Sequence, residues 1–233
     1  MSTELTTQNN SLIPAEALGL SKFVDEKQFD TMVKSTSFLP RLQLGGATSD
    51  IVKQRKCQMG NFAIVKGKDD VTDIGDSFVG LVVSYLLKAV DISDRKNIVS
   101  VYNPNDEEFT RIKTLADSKQ RDTGCMWGPE YLLWLPDSDM FVTFFLSSPS
   151  ARNIGPTLKG LRGSAVNINS RLAENKQGQT WYVPVATPSS APITNMPAMD
   201  LLKAELEKFN NPKEKVVEKA SEDEAATQSS QAR

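Results

Sequence analysis

The 233-residue chain contains no histidine, only two cysteines and no apolar run long enough to cross a membrane as a helix. Each absence closes a class of chemistry. Without imidazole there is no Ser-His-Asp or Cys-His nucleophile system, no HExxH zinc site and no histidine general base. Cys57 and Cys125 cannot supply the four Cys or His ligands of a closed structural zinc site. The longest apolar run, 78–87, is interrupted by Gly80 and Ser84 and falls short of the ~20 residues a spanning helix needs, so it reads as a buried strand. Residues 1–10 carry neither a basic cluster nor an apolar signal region. The expectation is a cytoplasmic protein (host-cell cytoplasm if viral), without a membrane partner, whose two thiols stay reduced.

Phosphate loops are missing too. There is no GxxxxGK[ST] and no GxGxxG, and Lys159-Gly160-Leu161-Arg162-Gly163 reads as a basic helix end capped by glycine. Asp69, Asp70, Asp73 and Asp76 cluster, but an EF-hand starting at Asp69 would need glycine and glutamate where Ile74 and Gly80 stand. That cluster reads as a solvated turn. No catalytic residue, metal or cofactor is expected, and the chain reads as a binding protein rather than an enzyme.

Charge is distributed unevenly. The total of −2 resolves into −3 over residues 1–33, +3 over 34–186 and −2 over 187–233. A mildly basic middle therefore lies between acidic ends. The organisation expected is an N-terminal arm over 1–35 with a short helix at 25–34, a β domain over 36–186, a Pro-containing linker and amphipathic helix over 187–212, and a disordered polar tail over 213–233. Met199, Leu202, Leu206 and Phe209 recur at helical spacing after Pro197.

Turn chemistry divides the middle into strands. Gly60–Lys66 ends at Gly67-Lys68-Asp69-Asp70, and 98–102 ends at Asn103-Pro104-Asn105. Pro136-Asp137-Ser138-Asp139 joins 130–135 to 140–146, and Glu174–Gly178 joins 165–173 to 180–185, giving two hairpins. The long β-branched run to Asp91 fits a central strand or one that bends at a bulge. Helices are expected over 106–118 and 150–161. The fold class is mainly β (α+β): a small antiparallel OB-like barrel with inserted helices, or else a sandwich.

Two stretches are rich in cations. Arg41, Lys53, Arg55, Lys56, Lys66 and Lys68 face Asp50 alone, and Arg152, Lys159, Arg162 and Arg171 lie in a stretch without any acid. Clustered Lys and Arg among small polar residues suit a phosphate backbone, and equally suit a solvated face. Tryptophan and tyrosine concentrate in the same β region. Alternation sets Asn167, Asn169 and Arg171 opposite Val166, Ile168 and Leu172, and it sends Trp181 and Tyr182 to opposite sides. The candidate nucleic-acid contacts are Lys53, Arg55, Lys56, Lys66, Lys68, Tyr102, Trp134, Arg152, Lys159, Arg162, Asn167, Asn169, Arg171, Trp181 and Tyr182.

In this layout, with its barrel-like strand pattern over 60–185, its basic segments and its flexible C-terminal end, the chain resembles bacteriophage single-stranded-DNA-binding proteins. The resemblance implies an OB-like fold, a basic groove containing aromatic rings, and non-sequence-specific binding of single-stranded DNA, or RNA, in replication or recombination. It also implies a tail that recruits replication or recombination proteins; a homo-oligomer is a separate expectation, on which the sequence itself is silent. Tails of that family end in dense acid and often an aromatic ring, whereas this chain ends Gln228-Ser229-Ser230-Gln231-Ala232-Arg233. The alternative reading is a non-enzymatic structural or assembly protein, of virion or scaffold type, acting through protein–protein contacts.

Overall fold

The computed structural model describes residues 39–67, 69–94, 97–118, 123–147, 149–190, 192–212 and 215–219. The expected N-terminal arm and helix, Lys68 and most of the polar tail lie outside these residues. Ten strands join in one mixed sheet: β1 (Arg41–Leu44), β2 (Phe62–Val65), β3 (Val71–Gly75), β4 (Ser77–Asp91), β5 (Asn97–Val101), β6 (Cys125–Leu135), β7 (Met140–Phe145), β8 (Ala165–Glu174), β9 (Thr180–Pro188) and β10 (Lys215–Lys219). The helices are α1 (Asp50–Lys53), α2 (Glu107–Asp117), α3 (Pro149–Arg152), α4 (Gly155–Gly160) and α5 (Met199–Asn210). The chain is thus mainly β, in the α+β class.

β4 is the shared strand. Its length of 15 residues lets β6 pair along Leu81–Asp91 while β8 takes Ser77–Leu81 and β5 takes Ala89–Asp91 on the other side. The bend expected in this run is present: Val82 pairs with Leu133 and Ser84 with Leu132, so Val83 bulges out of the ladder. Val83 and Ser84 then both serve α5, Val83 by packing and Ser84 by donating its hydroxyl to Asn210 Oδ1 at 3.1 Å.

Both faces of the sheet are covered. On one, Val82, Tyr131, Leu133, Phe144, Val166 and Ile168 pack with Phe62 of β2 and with Ile154 and Leu158 beside and within α4. On the other, Leu81, Leu86, Leu132, Trp134 and Phe141 meet Leu202, Leu206 and Phe209 of α5. Burial of each of these α5 side chains contributes roughly 2 kcal/mol. α2 covers Ala89 and Val101 with Phe109 and Ile112, and Asp106 caps it by accepting from the Glu108 amide at 2.7 Å.

The sheet does not close into a barrel, and it is not wholly antiparallel. β1 runs parallel to β7, with Arg41 opposite Thr143. The path ends on β3 without a ladder back to β9, although the Tyr182 ring lies against Gly60 in the loop before β2. Proline explains the missing ladder. The Ser170 amide donates to Asp76 O, so even-numbered residues of β8 face β4 and odd-numbered ones face β9. The β8–β9 register then turns Tyr182, Pro184, Ala186 and Pro188 outward, and two of these four have no N–H to donate. In the region expected to be a polar tail, 215–219 runs as a strand beside β5.

Trp134 is 1% exposed and its indole Nε1–H donates to Asn195 O at 2.8 Å. Trp134→Ala should therefore cost about 3–5 kcal/mol in urea denaturation, by loss of buried ring volume and orphaning of that carbonyl.

Candidate nucleic-acid interface

Beyond Ser170, β8 has left β4 and pairs with β9 alone, so the far half of this hairpin stands clear of the sheet. The turn 175–179 is held by its own asparagine: Asn175 Oδ1 accepts from the Gln177 and Gln179 amides, each at 2.9 Å. Cross-strand register sets Asn169 opposite Val185, Arg171 opposite Val183 and Ala173 opposite Trp181. Asn167, Asn169, Arg171 and Trp181 therefore share one face, opposite the buried Ile168. Asn169 and Arg171 are exposed, and Trp181 is 39% exposed despite its size.

The opposite face of the hairpin departs from expectation. Leu172, placed by alternation with Val166 and Ile168, is 55% exposed, lying past the point where β8 pairs with β4. Its cross-strand partner is Tyr182. A Cβ on Gly60 would stand 2.6 Å from Tyr182 Cε1, and Gly60 has φ +89°, so two independent constraints require glycine there. Met59 beside it is 51% exposed. The Gly60–Tyr182 contact brings the loop that carries the first basic segment up against the hairpin that carries the second.

That loop is fastened by Asp73. Its carboxylate accepts from the Gln58 amide at 2.9 Å, the Gly75 amide at 2.9 Å and Asn61 Nδ2 at 2.9 Å. Burial alone would raise its pKa, but these bonds outweigh it and hold the group below the usual carboxylate range. Burial, with Asp73 nearby, pushes the Cys57 thiol up to about 11, which keeps it protonated and unreactive.

The remaining candidates separate into free and engaged cations. Among the described residues Arg55, Lys66, Arg162 and Arg171 enter no ion pair, whereas Lys53 lies 3.9 Å from Asp50 and Lys56 2.8 Å from Asp69. Arg55 is exposed and holds φ 60° in the turn after α1, a conformation that glycine would adopt at lower cost. Lys159 Nζ sits 5.5 Å above the Tyr85 ring. Arg152 is engaged: its guanidinium stacks 4.2 Å over Trp127 and reaches Asp117 at 3.3 Å. Trp134 belongs to the core, and half-buried Tyr102 packs toward α5 beneath Lys88 Nζ, 5.4 Å from its ring. These two rings face helix and lysine because α5 covers that side of the sheet.

One charged group was not among the candidates. Lys88 pairs with Glu130 at 3.0 Å between the Tyr102 and Phe145 rings, and both partners are largely buried. Burial would lower the lysine pKa, but the Glu130 carboxylate outweighs it and raises it above the usual lysine value. A single lysine in a β-branched run carries no local sign of such a partner 42 residues away.

The chain matches no protein-family model, no curated protein and no solved structure.

Asp73→Asn should lower the unfolding midpoint at neutral pH. Because the native carboxylate titrates below its unfolded value, its stabilisation is present above about pH 4 and is lost as the pH falls through the lower, folded pKa. Denaturation of both proteins across an acid series should show the gap between them closing.

Proposed function

We propose that the chain binds single-stranded DNA without sequence selectivity, as an accessory to replication or recombination, through the β8–β9 hairpin face. The observation that carries this reading is a large aromatic ring, Trp181, left 39% exposed on the same strand face as Arg171 and Asn169. An exposed indole offers a stacking surface to any base, at about 1–3 kcal/mol per base. Arg171 supplies a planar guanidinium for phosphate, and Asn167 and Asn169 supply donors and acceptors for sugar or base edges. Lys159 and Arg162, at the end of α4, belong to the other side of the sheet, where Leu158 packs with Ile168. Such a division, with charge for affinity and stacking for attachment, gives little dependence on sequence.

Anisotropy of labelled oligo-dT, duplex and RNA, titrated across salt, tests the proposal. Oligo-dT should bind more tightly than duplex, with log affinity falling linearly in log salt. Trp181→Ala should weaken oligo-dT binding about tenfold, corresponding to roughly 1.4 kcal/mol, with the urea midpoint essentially unchanged. Failure to bind at low salt would refute the proposal and leave the assembly role in its place.

A further inference from the structure

Trp181 and Tyr182 are consecutive in β9 and project from opposite faces of the hairpin, and each face carries its own exposed apolar surface. On the first face that surface is Trp181. On the second it is Leu172, paired across the strands with Tyr182, whose ring meets Gly60 in the loop that also carries the exposed Met59. The two faces meet along the outer edge of β9. Neither β1 nor β2 pairs with that edge, and Pro184 and Pro188 remove two of the outward amides that strand addition would use. Free cations flank both sides, Arg171 on the Trp181 face and Arg55 in the turn leading to Met59.

Resting on the reading above, we infer that a single strand wraps around the free edge of β9. One base lies on Trp181 and a later one on the Leu172–Tyr182–Met59 surface. The occupant is the nucleic acid because Arg171, in no ion pair, shares the Trp181 face, and Arg55, also in none, lies in the loop whose Gly60 meets Tyr182. Together they are the complement of a polyanion carrying flat apolar bases. This geometry also sets the selectivity. A duplex is stiff over ~150 base pairs and presents its bases stacked inside, so it reaches only one face at a time. A single strand turns within a few nucleotides and reaches both.

Leu172→Glu tests this, since a side chain already 55% exposed can change without cost to folding. It places an anion where the strand would turn. Affinity for a dT oligomer of about 16 nucleotides should fall roughly tenfold, affinity for dT of about four nucleotides should change little, and duplex affinity should stay the same. Met59→Ala should act in the same direction with a smaller effect. If Trp181→Ala weakens the long oligomer while Leu172→Glu and Met59→Ala do not, the strand keeps to one face and the wrapping is overturned, with the binding proposal intact. If no oligomer binds, the binding proposal itself has failed. If Leu172→Glu instead changes the elution volume of the DNA-free protein on a sizing column, the second face is a self-association surface and the wrapping is likewise overturned.

Discussion

A 15-residue strand with partners on both sides accumulates twist, and this one relieves it where the register slips at Val83. Almost everything else depends on that slip. Before it β4 holds β8, and after it β5, so two neighbours share one side of the same strand. The bulge also turns two successive residues toward α5, which fixes where that helix sits and which half of the face it covers. The part of the face left bare is the β8–β9 hairpin. The proposed interface is thus a remainder: what the sheet exposes once β4 has bent and α5 has docked.

Charge follows a similar economy. Several basic residues are committed internally, Lys88 to Glu130, Arg111 to Asp91 and Glu108, Arg152 to Asp117, and Lys56 to Asp69. Trp127 is held between Lys113, 4.7 Å from its ring, and Arg152, while its N–H donates to Asp117. That indole therefore already has two cations within cation–π distance. Among the described residues the arginines in no ion pair are Arg41 in β1, Arg55 in the α1 turn, Arg162 after α4 and Arg171 on the hairpin, the last on the strand face that carries Trp181.

Much of this was legible in the sequence where local chemistry decides. The hairpins around Pro136–Asp139 and Glu174–Gly178 form as their turn residues require, and Asp106 opens α2 as an acidic cap should. In the amphipathic stripe Leu202, Leu206 and Phe209 face inward as read, whereas Met199, in the first turn, is 45% exposed. Three short elements, β1, α1 and β3, escaped notice because four or five residues are too few to establish a period. Barrel closure was expected because closing hides strand edges, but here prolines protect one edge and make closure unnecessary. The tryptophans show the limit most clearly. Trp134 and Trp181 sit in similar alternating strands, and only the distant helix α5 buries one and leaves the other.

The parallel pairing of β1 with β7 has a kinetic meaning. Arg41 and Thr143 meet across about a hundred residues of intervening chain, and the Thr143 amide is satisfied only by Pro40 O. The β6–β7 and β8–β9 hairpins close over a few residues each and repay their loop entropy at once. β1 gains its antiparallel ladder locally, from β2, and its two-residue parallel pairing only where β7 is in place. In that pairing β1 covers an edge of β7 that would otherwise present unpaired backbone groups to another chain.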